Sequence, residues 1–164
     1  MLLRLKNIQM KIILFFFLFA LFICGCDSTL IKQGNMKRES EKVIKNYFEY
    51  IEKEQYEDAA SLYSRDFFGN ITKDKWEKQL KQIMLKLGTL KSFKLYQAMT
   101  LVDKSNKNIL YSKFIYEVKH SKFNSIETFI LKKEGSKKIK ILKYHINSDG
   151  LSQEPVAETS KNNK

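Results

Sequence analysis

The sequence predicts an α+β domain: N-terminal helices followed by a curved four-stranded antiparallel sheet. Two observations carry this. Apolar residues recur with helical spacing over residues 36–87, and after Gly88 the period becomes two. The period-two segments are separated by short polar turns, which suit hairpins and not crossovers.

In the first helix Val43, Ile44, Tyr47, Phe48 and Ile51 form a single apolar stripe. Tyr56, Ala59, Ala60, Leu62 and Tyr63 continue as a second, shorter helix, ending near Phe67-Phe68-Gly69-Asn70. Thr72 is suited to cap a third helix, and Asp74 places negative charge in its first turn, where the helix dipole favours it. The stripe of this helix is Trp76, Leu80, Ile83, Met84 and Leu87, with Gly88 as the expected stop.

In the first strand Phe93, Leu95, Met99 and Leu101 are expected on one face, interrupted by Gln97. The second carries Leu110, Phe114, Tyr116 and Val118 on one face, with Ser112 between them. Ser105-Asn106-Lys107-Asn108 and Ser121-Lys122 supply turns, and Glu134-Gly135-Ser136 joins a third strand (126–131) to a fourth (138–146). Both faces of the last two strands are apolar: Ile126 and Ile130 against Phe129 and Leu131, then Ile139 and Ile141 against Leu142, Tyr144 and Ile146. A strand covered on both sides, or a sheet face used for dimerisation, accounts for that. A three-helix layer on one face of the curved sheet buries both kinds of stripe.

Ahead of the domain, residues 1–11 hold Arg4, Lys6 and Lys11 and no acid, and the twelve residues 12–23 are all apolar. This is the layout of a secretory signal, and the run falls short of the roughly 20 residues a transmembrane helix needs. Met10 is an alternative start to Met1. Ile23-Cys24-Gly25-Cys26 resembles the bacterial lipobox, which implies cleavage before Cys26 and diacylglycerol on its thiol. The expected organisation is a signal peptide (1–25), a lipidated tether (26–35), one α+β domain (36–147) and a disordered polar tail (148–164). The location is then the extracytoplasmic side of the cell membrane. Asp27 resembles the inner-membrane retention signal of enteric-type Gram-negative bacteria, which in such a source places the domain in the periplasm; in a Gram-positive source the residue carries no sorting message.

Cleavage leaves Cys26 as the remaining cysteine, so no disulfide framework is expected and the fold must rest on its core. The net charge is +12, and the signal carries three basic residues and no acid, which leaves +9. Export makes nucleic acid an unsuitable partner. The lysines are spread along the chain, which favours a solvated surface. The other reading is attraction to anionic headgroups or wall polymers beside the anchor, worth about 1 kcal/mol per well-placed lysine.

Tyr47-Phe48, Tyr56-Glu57-Asp58-Ala59-Ala60, Phe67-Phe68 and the Trp76 helix closing on Leu87-Gly88 resemble small exported proteins of the nuclear-transport-factor-2-like superfamily. Glu127, Glu134-Gly135, Lys140-Ile141, Tyr144 and Ile146 extend the resemblance, which covers residues 36–146. Ile139 stands where such families often carry Trp, and Lys143 where glycine is common. The resemblance implies a cone-like sheet that often encloses a pocket. It also implies isomerase or dehydratase chemistry in some members, through buried Asp or His.

His120 is expected as a solvated turn residue, His145 on the strand surface and Glu117 exposed, while a cross-strand lysine is expected beside Glu127. No spacing typical of general acid–base catalysis, metal binding or phosphate cradling is present, so no catalytic residue, metal or cofactor is assigned. Trp76, Tyr116, Glu127 and Tyr144 are the candidates to line a pocket, and Cys26 is the lipid site. The expected function is a membrane-anchored envelope lipoprotein whose non-catalytic domain binds an envelope protein, a polymer or a small ligand, or dimerises through its sheet. A small-molecule pocket enzyme of isomerase or dehydratase type is the alternative.

Overall fold

The computed structural model describes residues 28–103, 109–134 and 138–152. The signal segment, Cys26, the turns at Ser105-Asn106-Lys107-Asn108 and Gly135-Ser136, and the tail from residue 153 lie outside the described residues. Contacts divide the chain after Lys32, and the α+β domain is the unit that begins at Gln33.

Helix α1 (Ser28–Glu52) begins within the stretch read from the sequence as tether. Only Gly34 opposes a helix there, at a cost of about 1 kcal/mol relative to alanine. The predicted stripe lies inward, with Ile44, Tyr47, Phe48 and Ile51 buried. Helix α2 (Tyr56–Ser61) is shorter than its apolar spacing suggested. Leu62 and Ser64 leave the helix to bond the edge of the sheet: Ile141 N–H donates to the Leu62 carbonyl (3.0 Å) and Ser64 N–H to the Ile141 carbonyl (2.8 Å). A 3-10 turn (Phe67–Gly69) leads to α3 (Lys73–Leu87). The Thr72 hydroxyl accepts from Lys75 N–H, as expected of its cap. Gly88 ends the helix at φ 85°, and its N–H donates to the Met84 carbonyl.

Strands β1 (Leu90–Asp103), β2 (Ile109–His120), β3 (Ser125–Glu134) and β4 (Lys138–Asn147) form an open antiparallel sheet in sequential order. Two bulges revise the expected faces. In β1 the register shifts between Leu95 and Gln97, so Tyr96 is the extra residue. Phe93 and Leu95 therefore share a face with Ala98, Thr100 and Val102, opposite Val118, Tyr116, Phe114, Ser112 and Leu110, while Met99 and Leu101 turn the other way. In β4 the shift falls at Leu142, which brings Ile139, Ile141, Tyr144 and Ile146 onto one face in place of two. Of the last two strands, β3 keeps apolar residues on both faces. Beyond β4 a short helical turn (Asp149–Ser152) continues the order past the expected domain end, with the Ser148 hydroxyl donating to the Asn124 carbonyl.

The core joins helix and strand aromatics. Phe48 stacks on Phe93 at 4.1 Å between ring centroids, Tyr47 meets Phe129 edge-on at 5.1 Å, and Tyr63 meets Trp76 at 5.3 Å. The two edges of the sheet differ: β4 is partly paired by residues 62–64, and β1 is the other edge.

Gly88 combines a left-handed φ with close contact, since a Cβ there would meet Ser121 Oγ, which accepts from Thr89 N–H. Gly88→Ala is expected to destabilise the domain by about 1–3 kcal/mol in urea unfolding. Gly69→Ala, where a Cβ meets nothing within 4 Å, is expected to stay within about 0.5 kcal/mol.

Candidate functional site

A carboxylate in the middle of this core is the most unusual feature of the domain. Glu127 sits on β3 between inward-facing Ser125 and Phe129 and is 1 % exposed. Its Oε1 accepts from Ser125 Oγ at 3.1 Å and lies 3.5 Å from His120 Nε2. Its Oε2 accepts from the Tyr144 hydroxyl at 2.9 Å. Ser125 Oγ is also 3.3 Å from His120 Nε2, so the last residue of β2 and the first of β3 close a triangle with the carboxylate. Such donors are what a buried carboxylate needs, because burial without partners would cost several kcal/mol.

Around Oε2 the surroundings are aromatic. Tyr144 lies 5.7 Å from Tyr47, 5.9 Å from Trp76 and 6.3 Å from Tyr63, measured between ring centroids. The Tyr47 and Tyr63 hydroxyls and the Trp76 indole N–H lie close to one another, yet none makes a hydrogen bond of ordinary geometry among the described residues. Burial holds the Tyr47, Tyr63 and Tyr144 phenols well above their ordinary range, and the Glu127 charge pushes each the same way. Tyr144 is half-buried as a residue but turns its hydroxyl inward.

Of the expected pocket residues, Trp76, Glu127 and Tyr144 come together. Tyr116 pairs with Glu127 across the β2–β3 ladder, but packs against Phe48, Phe93 and Phe129. Its phenol is pushed up to about 12 by burial, with the Glu41 charge adding. Two expectations are corrected. His120 is buried, not solvated, because the even positions of β2 face inward through to the end of the strand. Glu127 has no cross-strand lysine; its partners across the ladders are Tyr116 and Ile146. His145 and Glu117 are exposed, as expected. Ser125 is a site residue absent from the sequence expectations, and the signal for it is parity, since Ser125, Glu127, Phe129 and Leu131 alternate inward together; Tyr47 and Tyr63, read as helix-stripe residues, also stand at the site.

The arrangement suits support more than chemistry. A general base must touch its substrate, and both oxygens of Glu127 are engaged by protein donors. Among the described residues no group of three or more His, Cys, Asp or Glu could hold a metal ion.

Open grooves lie elsewhere. One of about 360 Å³ is lined by Glu117, Lys119, Asn124, Ile126, Asn147 and Asp149, among others. Another, of about 270 Å³, lies between the ends of α1 and α3 and the Ser121-Lys122 turn. The outward face of the sheet carries Met99, Leu101, Ile115, Ile126 and Ile130, of which Leu101 and Ile126 are the most exposed.

No family model, curated protein or solved structure matches the chain. Among the described residues no helix is long and apolar enough to cross a membrane.

The buried phenols set an alkaline limit. Their folded-state pKa values lie above the unfolded value near 10, so their contribution is complete below about pH 10 and is lost as pH rises beyond it. Each is expected to lower stability by about 1.4 kcal/mol per pH unit above that point. Unfolding followed by circular dichroism should then coincide with ionisation of these tyrosines at 295 nm, and Tyr144→Phe should lessen the slope. Ionisation well before unfolding would contradict the burial.

Proposed function

We propose that the protein is a cell-envelope lipoprotein, anchored through lipid on Cys26 on the extracytoplasmic side of the membrane. Its domain is a non-catalytic binding or dimerising module. The anchor rests on the order of its signals: basic residues, a twelve-residue apolar run, then Ile23-Cys24-Gly25-Cys26. The domain reading rests on β3, where Ile126 and Ile130 face outward while Phe129 and Leu131 fill the core. An apolar outward row on a central strand is a surface suited to a partner.

The fold we assign within the α+β class is the cone-like, nuclear-transport-factor-2-like arrangement, with the helices laid on a curved sheet. Contacts of α1 rings with Phe93, Tyr116 and Phe129 support it. The bulges at Tyr96 and Leu142, with a further register shift between Leu90 and Ser92, supply the local bending a curved sheet needs. In a pocket enzyme of this class, an acid would face a space open to substrate. The engagement of both Glu127 oxygens by Ser125 and Tyr144, with His120 beside them, favours the binding module instead.

Cys26→Ser tests the anchor. The variant is expected to lose acyl labelling and either to leave the membrane fraction or to accumulate as a precursor of full mass. Undiminished acyl labelling of the variant would overturn the assignment.

A further inference from the structure

Lysines that look scattered along the sequence are gathered by the sheet. Antiparallel register sets three outward rows side by side: Lys94, Glu117, Ile126 and Asn147; Gln97, Ile115, Thr128 and His145; Met99, Lys113, Ile130 and Lys143. Leu101 and Tyr111 extend the face at one end, and Lys119 extends it at the other. Its apolar members form a band from Leu101 through Met99 and Ile115 to Ile126 and Ile130. Lys94, Lys113, Lys119 and Lys143 lie among and beside that band. The acids on the same face are Glu117, Asp103 at its far corner and, at the end of β3, Glu134, which is held by Arg65. None of the four lysines forms an ion pair among the described residues. By contrast, Lys132 is tied to Asp66 and Lys140 donates to the Ser61 carbonyl, so those two serve the end and edge of the sheet.

We infer that this outward face of the sheet rests on an anionic lipid surface, with the lysines at the headgroups and the apolar band at the interface. Charge decides between occupants. Two copies meeting face to face would bring like-charged lysines together, which is unfavourable, whereas a layer of anionic headgroups complements them. An apolar band flanked by lysines is also how an interfacial surface is built: buried apolar area adds to attraction by anionic lipid. Lysine stems extend along apolar surface and carry their charge out to the headgroups. The inference rests on the proposed anchor for proximity. Six residues separate Cys26 from Gln33, and the seven steps between those two, even fully extended, span only about 25 Å.

The test uses the full chain, purified from membranes and reconstituted into vesicles. Thr128→Cys, in the middle row, carries an environment-sensitive fluorophore, with Lys78→Cys on α3 as the reference site. Phosphatidylcholine vesicles with and without phosphatidylglycerol carry spin-labelled lipid as quencher. Quenching at Thr128 above that at Lys78, present with phosphatidylglycerol and relieved by salt, is the expected result. Lys113→Gln and Lys143→Gln together should shift the population away from the surface by roughly 30-fold, about fivefold for each lysine. Equal quenching at both sites, or quenching indifferent to phosphatidylglycerol, would overturn the inference. So would label–label contact at Thr128 between copies, which would assign the face to a dimer. The mass of the N-terminal peptide separates the two readings. An acylated chain without selective quenching defeats the face alone. An unacylated chain that is selectively quenched defeats the anchor alone.

Discussion

A carboxylate enclosed by aromatic rings is the constraint on which the rest of the domain depends. Removing Glu127 from water is costly, and the cost is offset only while its donors hold their geometry. The donors come from two strands, Ser125 from β3 itself and Tyr144 from β4, and His120 at the end of β2 lies beside them. The network therefore ties the register of the central ladders to one alignment. Hydrophobicity alone would not do so, because β3 is apolar on both sides. A one-residue slip would exchange Phe129 and Leu131 for Ile130 and Ile126 at little loss in transfer energy. The same slip would also turn Glu127 and Ser125 outward and strand His120 and Tyr144 in the core. The polar triangle penalises the misalignment that the apolar pattern permits.

The bulges answer a related difficulty. Strict alternation through β1 would put Phe93 and Leu95 on the core face together with Gln97, and would turn Ala98, Thr100 and Val102 outward. The extra residue at Tyr96 resets the phase, so the core face stays free of the glutamine. At Leu142 the same device keeps Tyr144 on the face of Ile141, and without it the Tyr144 hydroxyl could not reach Glu127. The bulge in β4 is thus a condition of the carboxylate's burial. Its edge position is secured from outside by Leu62 and Ser64, which also explains why α2 stops short.

Much of the fold could be read from residue patterns. The stripe of α3, its Thr72 cap and its Gly88 stop are local signals, and they appear where the spacing put them. The four strands and their sequential pairing follow from alternation and turn chemistry. The expectations that failed depend on tertiary partners. No local pattern marks the bulges, because each is settled by the strand opposite. Leu62 and Tyr63 have helical spacing, but the chain there bonds to Ile141, far along the sequence. At the candidate site Trp76, Glu127 and Tyr144 were legible as a group, whereas the place of His120 beside Ser121-Lys122 misleads. A residue next to a turn is usually wet, but parity with Phe114, Tyr116 and Val118 was the stronger signal and pointed inward.

The same dependence on pairing explains why charge looked featureless in one dimension. Lys94, Lys113 and Lys143 belong to three strands, and only antiparallel register sets them on a common face. Under the proposed anchoring, their effect would be orientation more than retention. Stable attachment comes from acyl chains, each buried methylene adding about 0.8 kcal/mol, while a few lysines add about 1 kcal/mol each and act within a Debye length of roughly 8 Å. A short tether makes approaches within that range frequent, so a modest charge pattern can bias which side faces the bilayer. The lysines and the apolar band act together in this. The lysines supply attraction that salt can tune, and the outward isoleucines supply contact that only close approach can realise. The interior, occupied with satisfying Glu127, contributes the rigid register that holds the face together.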